Sequence, residues 1–156
     1  MGELDKKLES MGYPLSRMGP EGKIIESLTI DGTTCYVSGQ VPMDGQTLVG
    51  KGKVPSQVSV EEATKHAALC AANGLRRVIG RVGSLDRVER VLRVTGYVNS
   101  EPDFTDHHLV IHGATNLLLD LFGDKGKHAR TALGMAQLPL GSSVEVEMIL
   151  KLKPLT

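Results

Sequence analysis

The sequence predicts a single α+β domain in which two helices pack on one face of a mixed sheet, with the element order ββαβαββ. Runs with alternating apolar residues, typical of strands, lie before, between and after two long segments with helical apolar spacing. An Asp31-Gly32 pair separates two β-prone runs, as in a hairpin. A chain of 156 residues is long enough to bury one core. We therefore take residues 1–156 as one domain.

The N-terminal third contains one predicted short helix and the predicted hairpin. Residues 1–12 combine alternating charges with apolar residues at helical spacing, which predicts an amphipathic helix ended by Gly12. Residues 24–30 and 33–41 are the predicted hairpin strands. Gly39 lies late in the second of them and indicates a bulge or a close approach by another part of the molecule.

The first long helix begins with a capping signal. Ser59 and Glu62 have the spacing of a capping box, in which hydroxyl and carboxylate each accept from a backbone amide at the helix start. An alanine-rich apolar stripe follows and predicts close packing on the sheet. Gly80 and Gly83 are the predicted end of this helix. The stripe consists of Val60, Ala63, Ala67, Cys70, Ala71, Leu75, Val78 and Ile79.

The C-terminal half alternates strands with the second long helix. We predict a strand over residues 88–99, a helix from Asp106 to Phe122, a strand beginning near Thr131 and a last strand over residues 144–152. With both long helices on one face, the other face of the sheet has no covering element left. By alternation, that face includes Val91, Tyr97, Leu133 and Met135. An exposed apolar face of this size predicts that subunits meet there.

Composition excludes several classes of partner. Lys and Arg number 18, as do Asp and Glu, and aromatic residues make up only 3%, so a nucleic-acid partner is not expected. No apolar stretch approaches the length of a membrane span, and no signal peptide is evident, so we expect a cytoplasmic protein. Cys35 and Cys70 are the only cysteines, and we expect both to be free thiols packed as small apolar groups.

Residues 128–147 place two charged side chains next to predicted strands. Arg130 precedes an apolar run that stops at Leu138-Pro139, and Glu145 lies at the start of the last strand. Pro139 cannot donate to a sheet, and Gly141 permits a tight reversal. A permanent cation and a carboxylate are thus expected at the beginnings of two neighbouring strands.

The same stretch resembles a known family. Arg-Thr-Ala-x-x-x-Ala-x-Leu-Pro followed by Val-Glu-Val-Glu is similar to the C-terminal signature of the Rid family, the reactive intermediate deaminases, also called YjgF-like and labelled L-PSP endoribonuclease-like. Ser38-Gly39-Gln40-Val41-Pro42 matches the family's Ser-Gly-Gln-x-Pro. The resemblance spans roughly residues 24–152 and leaves residues 1–23 as an N-terminal extension. It implies a chorismate-mutase-like fold and homotrimers with sites between subunits.

The resemblance also implies roles for individual residues. Arg130 matches the arginine that grips a substrate carboxylate, which suits a planar guanidinium that never loses its proton. Glu145 matches the glutamate that holds the attacking water in deaminase members. Gly39 and Ala132 match positions whose backbone groups contact the ligand. The reaction implied, hydrolysis of 2-imino acids such as 2-iminobutanoate and 2-iminopropanoate, needs neither a metal nor a cofactor.

The chain departs from the family pattern within the expected pocket. Ile25 stands where the family has a tyrosine, and Ala132 stands where it has a cysteine. An asparagine typical of the second helix falls at His108, or at His112 with the spacing of a divergent branch. These changes reshape the pocket wall and place the standard substrate in doubt.

Other interpretations of these residues remain open from the sequence. Arg130 could form a structural pair with Glu147 or with an acid on another subunit, and Glu145 could be a solvated strand residue. His108 and His112 have helical i, i+4 spacing but lack a third ligand nearby, so a metal site is not expected. Three functions follow: hydrolysis of enamine or imine intermediates, non-catalytic trimeric binding of small carboxylic or 2-keto acids, and, least favoured, endoribonuclease activity.

Overall fold

A computed structural model describes residues 1–155 and forms three α-helices and seven β-strands within them. The helices are α1 (Glu3–Ser10), α2 (Val60–Val82) and α3 (His107–Phe122). The strands are β1 (Leu28–Asp31), β2 (Thr34–Gln40), β3 (Met43–Asp44), β4 (Thr47–Leu48), β5 (Val88–Asn99), β6 (Ala129–Met135) and β7 (Val144–Leu152). The predicted α+β class and element order are confirmed. The β3–β4 pair is a small separate hairpin in a region for which no strand was predicted.

The main sheet has the strand order β1-β2-β7-β5-β6. Strands β5 and β6 are parallel, and the other three pairings are antiparallel, so the sheet is mixed as predicted. The expectation that β6 and β7 are neighbours is wrong, because β5 lies between them. A parallel pair needs a crossover, and α3 with its flanking loops provides it and carries the chain to the outer side of β5. Strand β7 then fills the space between β2 and β5.

Helix α2 begins at the predicted cap and ends later than the first predicted glycine. The Ser59 hydroxyl accepts a hydrogen bond from the Glu62 amide at 3.1 Å. Gly80 lies within the helix, and Gly83 ends it in a left-handed conformation with φ of 93°. A glycine inside a helix is tolerated at a modest cost, whereas the positive φ of Gly83 requires the absence of a side chain.

The N-terminal segment belongs to the folded unit. Leu8 of α1 is buried with 1% of its surface exposed. The Asp5 carboxylate accepts from the backbone amide of Leu85 at 2.7 Å, and the Asp86 carboxylate accepts from the amides of Glu3 and Leu4. These contacts anchor α1 at the turn that precedes β5.

Strand β1 is shorter than predicted at its beginning. Its pairing with β2 starts at Leu28, which lies opposite Val37. Ile24 and Ile25 precede the strand and are 97% and 68% exposed. Their β-propensity does not make a strand because no regular ladder pairs with that part of the chain.

One predicted member of the uncovered face is in the core instead. Val91 is completely buried, and Leu92 is 36% exposed. The pairing of β5 with β7 shifts register between Val91 and Arg93, so an extra residue reverses the alternation there. Beyond this bulge, Tyr97 and Met135 are half-buried, and Leu133 is 40% exposed on the face opposite α2 and α3.

Two further features follow from the described residues. Cys35 and Cys70 are buried free thiols. Within residues 1–155, no helix has both the length and the apolar character needed to cross a bilayer.

Candidate functional site

Arg130 lies on the edge strand β6 and points toward the helices. It pairs with Val94 of β5, a core residue, and directly paired strand residues share a face. Its Nη1 atom donates to His112 Nδ1 at 2.9 Å and to Thr115 Oγ1 at 3.1 Å, both on α3. The two N–H bonds of Nη1 are therefore both used to hold the guanidinium against α3.

A chain of hydrogen bonds continues beyond Thr115. His128 Nδ1 donates to the Gly126 carbonyl at 2.6 Å, which leaves Nε2 as an acceptor in the neutral ring. The Thr115 hydroxyl lies 3.0 Å from this Nε2 and donates to it while accepting from Arg130. Thr115 thus connects Arg130 to a loop that is itself fixed by His128.

The hydrogen-bond pattern requires neutral imidazoles. His112 Nδ1 accepts from Arg130, so its proton lies on Nε2. Burial, with Arg130 and His108 adding like charge, lowers the pKa of His112 below its ordinary value. Burial lowers the pKa of His128 as well, against the opposing effect of its hydrogen bond to Gly126. Both rings are therefore neutral near pH 7.

Arg130 opens into a cavity and has no acidic partner. The cavity has a volume of about 360 Å³. Among residues 1–155, no group bonds Nε or Nη2 of Arg130, and no carboxylate forms an ion pair with it. These two nitrogens form the edge of the guanidinium that can bind a carboxylate with two parallel hydrogen bonds. The cavity is lined by His112, Thr115, Asn116, Leu119, Lys127, His128 and Arg130.

The structural pair of Arg130 with Glu147 is absent. Glu147 instead accepts a hydrogen bond from the Tyr97 hydroxyl at 2.6 Å. This bond, together with burial, raises the pKa of Tyr97 to about 12. Glu147 is thus occupied on the opposite face of the sheet.

Glu145 lies beside Gly39 at the predicted bulge. The pairing of β2 with β7 shifts register between Val37 and Gln40, which confirms the irregularity predicted at Gly39. A Cβ atom at Gly39 would lie 2.5 Å from Glu145 Oε1, so a side chain there would displace the Glu145 carboxylate from its present position. Burial, and then the nearby Glu147, raises the pKa of Glu145. A carboxyl group of this kind holds a proton more readily than a solvated one.

Arg130 and Glu145 lie on opposite faces of the sheet. Arg130 shares the helix-covered face with Val94, whereas Glu145 pairs with Tyr97, three residues along β5 and on the uncovered face. No register shift separates Val94 from Tyr97, so their side chains point to opposite sides. One copy of the chain therefore does not bring the cation and the carboxylate into one site.

The remaining predicted residues divide between these two regions. Ala132 lies on the face of Arg130 and packs partly against the core. Ile25 is 68% exposed and lines a separate cavity of about 250 Å³ that also includes Gly39. His112 contacts Arg130, whereas exposed His108 lies edge to face with the His112 ring, with 6.0 Å between centroids. In residues 1–155, no three His, Cys, Asp or Glu side chains are grouped to hold a metal ion.

The sequence interpretation missed Thr115 and Lys127 as cavity residues. Thr115 follows His112 by three positions, so both lie on one side of α3. That spacing was a usable signal. Lys127 precedes Arg130 in a loop whose path depends on packing against α3, and no local pattern indicates that path.

Comparison with known proteins identifies the family. The family model described as "YjgF/chorismate mutase-like, putative endoribonuclease" matches residues 7–152. Protein TCP17 of Trypanosoma cruzi is 34% identical over 152 residues, which cover 97% of this chain and 95% of that protein.

Two crystal structures are similar over nearly the full length. Atu1372 of Agrobacterium tumefaciens is 38% identical with a TM-score of 0.88, covering 96% of this chain and 92% of that one. A Shewanella oneidensis protein, named a "putative endoribonuclease", is 25% identical with a TM-score of 0.90, covering 97% and 100%. The family match extends beyond the predicted core to include the C-terminal half of α1. The chain belongs to the YjgF/chorismate mutase-like family, in agreement with its resemblance to the Rid proteins.

Proposed function

We propose that the protein hydrolyses small enamine or imine intermediates derived from amino acids, in a site formed where two copies of the chain meet. Arg130 of one copy binds the substrate carboxylate, and Glu145 of the next copy orients the attacking water. The observation that carries this proposal is the Arg130 guanidinium, held by Nη1 alone and presenting Nε and Nη2 to a cavity. A guanidinium that only stabilised the fold would be expected to have an acidic partner or a full set of hydrogen bonds.

The chemistry needs orientation and proton handling. Water adds to the carbon of the C=N bond, one of its protons passes to the carboxylate of Glu145, and Glu145 returns that proton to the nitrogen to give a carbinolamine. The hydroxyl proton of the carbinolamine then passes through Glu145 to the amino nitrogen as the C–N bond breaks, which releases ammonia and leaves a 2-keto acid. The raised pKa of Glu145 suits a group that accepts a proton and returns it during one cycle.

The arrangement of the two groups supports a shared site. Arg130 is on an edge strand, and Glu145 is on the face that the helices do not cover. Tyr97 and Leu133 on that face give it apolar surface that a second copy would bury. The homotrimer implied by the resemblance to Rid proteins would supply such a contact three times, and it forms part of the proposal.

Substitution of Arg130 tests the activity. In an assay coupled to an amino-acid dehydratase that generates 2-iminobutanoate, we expect the wild-type protein to accelerate ammonia release over buffer. Arg130→Ala should lower kcat/KM by about a hundredfold or more, because two charge-assisted hydrogen bonds are lost. Arg130→Lys keeps the charge without the planar pair of donors and should be intermediate. No acceleration by the wild-type protein would refute the catalytic function.

Binding without turnover is the second candidate. Ile25 gives the expected pocket an exposed aliphatic side chain where deaminase members carry an aromatic hydroxyl, and Ala132 replaces their cysteine. These changes favour a trimeric binder of small carboxylic or 2-keto acids. Thermal stabilisation by 2-oxobutyrate that depends on Arg130, without any imine hydrolysis, would support this function over catalysis.

Ribonuclease activity is the least supported of the three functions. It appears in the family description and in the name of the Shewanella relative. The net charge of zero and the 3% aromatic content are poor for holding RNA. RNA cleavage that persists through purification and is lost in Arg130→Ala would favour it over the other two.

A further inference from the structure

The Arg130 cavity is strongly biased in charge. Arg130 and Lys127 both line it, and no Asp or Glu is among its lining residues. The whole chain has a formal net charge of zero, so this bias is local and does not follow from a basic composition. A single substrate carboxylate would neutralise Arg130 and leave Lys127 with only its exposed ion pair to Asp124.

Lys127 is presented from a fixed backbone. Gly126 is buried, and a side chain there would collide with the Leu118 carbonyl of α3. The Lys127 carbonyl accepts from Arg90 Nη2 at 3.3 Å, and its amide donates to the Asp124 carbonyl at 3.2 Å. The backbone of the lysine is therefore fixed by β5 and by its own loop, next to a glycine packed on α3, although the side chain itself reaches into solvent.

The side chain of Lys127 is available for a ligand. Its Nζ atom lies 3.0 Å from Asp124 Oδ1, but the two side chains are 72% and 94% exposed. Exposed ion pairs of this kind contribute little to stability and exchange readily. A ligand whose first anionic group is bound to Arg130 would hold its second anionic group at a high effective concentration near Nζ. That second group would therefore compete well with Asp124 for Nζ.

The rest of the cavity suits a short linker between two anions. Its volume of about 360 Å³ is several times that of one carboxylate group. Leu119 supplies apolar wall, and Asn116 supplies an amide. We propose that the ligand carries two anionic groups and is a short dicarboxylate, with one carboxylate on Arg130 and the other on Lys127. This inference rests on the proposed function, because it takes Arg130 as the group that binds the first carboxylate.

Succinate and butyrate provide a matched pair of probes. Both have four carbons, and they differ in having a second carboxylate or a methyl group at one end. Calorimetry on the full-length protein should give a dissociation constant about fivefold lower for succinate, as expected for one added ion pair. Lys127→Met should raise the dissociation constant of succinate to about that of butyrate while leaving the dissociation constant of butyrate unchanged.

Lys125 provides the control. It lies in the same loop and is exposed, but it does not line the cavity. Lys125→Met should leave the ratio of the two dissociation constants unchanged. Equal losses of succinate affinity in both lysine variants would show a diffuse charge effect and overturn the inference. Butyrate binding through Arg130 without a preference for succinate would also overturn it and leave the proposed function intact. Failure of both acids to bind, together with no imine hydrolysis, would refute the two proposals together.

Discussion

At the scale of single residues, the main feature is how the hydrogen-bonding atoms of Arg130 are divided between α3 and the cavity. One terminal nitrogen is committed to α3 through His112 and Thr115, and the opposite edge faces the cavity. Long cationic side chains lose considerable freedom when they bind, and holding one end in place reduces that cost. The Thr115 hydroxyl contributes most because it is also bound to His128 on the other side.

Thr115 is therefore predicted to be a positioning residue. Thr115→Val keeps the shape of the side chain but removes both of its hydrogen bonds, so Arg130 retains only His112. Butyrate binding should weaken by about tenfold, the effect of one hydrogen bond to a charged group. Thr115→Ser should restore nearly wild-type binding. Equal weakening in both variants, measured by calorimetry, would show that the methyl group and its packing matter instead of the hydroxyl.

At the scale of elements, regular patterns predicted the long segments well. The α2 stripe, the span of β5 and the limits of α3 agree with the structure because each has many apolar residues in one period. Errors occurred where one residue breaks the period. The bulge that buries Val91 and exposes Leu92 depends on pairing with β7, and no local signal in β5 marks it.

The site was less predictable than the fold. The family signature identified Arg130 and Glu145, but it could not show that they lie on opposite faces of one sheet. That result depends on the position of β5 between β6 and β7, which is a consequence of the crossover through α3. Sequence proximity of two strands is a poor guide to adjacency when a third strand can enter between them.

The docking of α3 on β6 predicts a pH dependence of stability. His112 and His128 contribute acceptor nitrogens, and burial is the largest cause that lowers the pKa of each below 6.5. The unfolded chain therefore binds more protons than the folded one below about pH 6.5. The contribution of these two histidines to the free energy of unfolding should be complete above that pH. It should be lost as the pH falls through the lowered pKa values that they have in the folded protein.

Urea unfolding near pH 7.5 and pH 5.5 checks this expectation. The midpoint should be lower at the acidic pH, with a similar slope. His128→Asn cannot titrate in this range, so its midpoint should fall less between the two conditions than that of the wild-type protein. An equal fall in both proteins would place the sensitivity in other groups.

At the scale of the whole molecule, the placement of the two charged groups makes assembly a requirement of the proposed hydrolysis. The helices cover one face of the sheet, and the other presents Glu145 and Tyr97 beside the apolar Leu133. If neighbouring copies pack so that the β6 edge of one approaches this face of the next, the contact is heterologous. Such contacts close into a ring when the rotation between neighbouring copies brings the last copy back to the first. Each contact then contains Arg130 of one copy and Glu145 of the next.

Mixing two inactive variants tests this arrangement directly. Arg130→Ala lacks the carboxylate-binding half of the site, and Glu145→Gln lacks the proton-accepting half. In rings assembled at random from equal amounts of both, about one contact in four combines two intact halves, so roughly a quarter of wild-type activity should return. Co-expression with different affinity tags, followed by tandem purification, would isolate the mixed assemblies for the imine hydrolysis assay. In purified mixed trimers, which exclude the two uniform assemblies, the expected recovery rises to about one third of wild-type activity. A site contained within one chain would give no recovery, because every copy would carry a lesion in its own site.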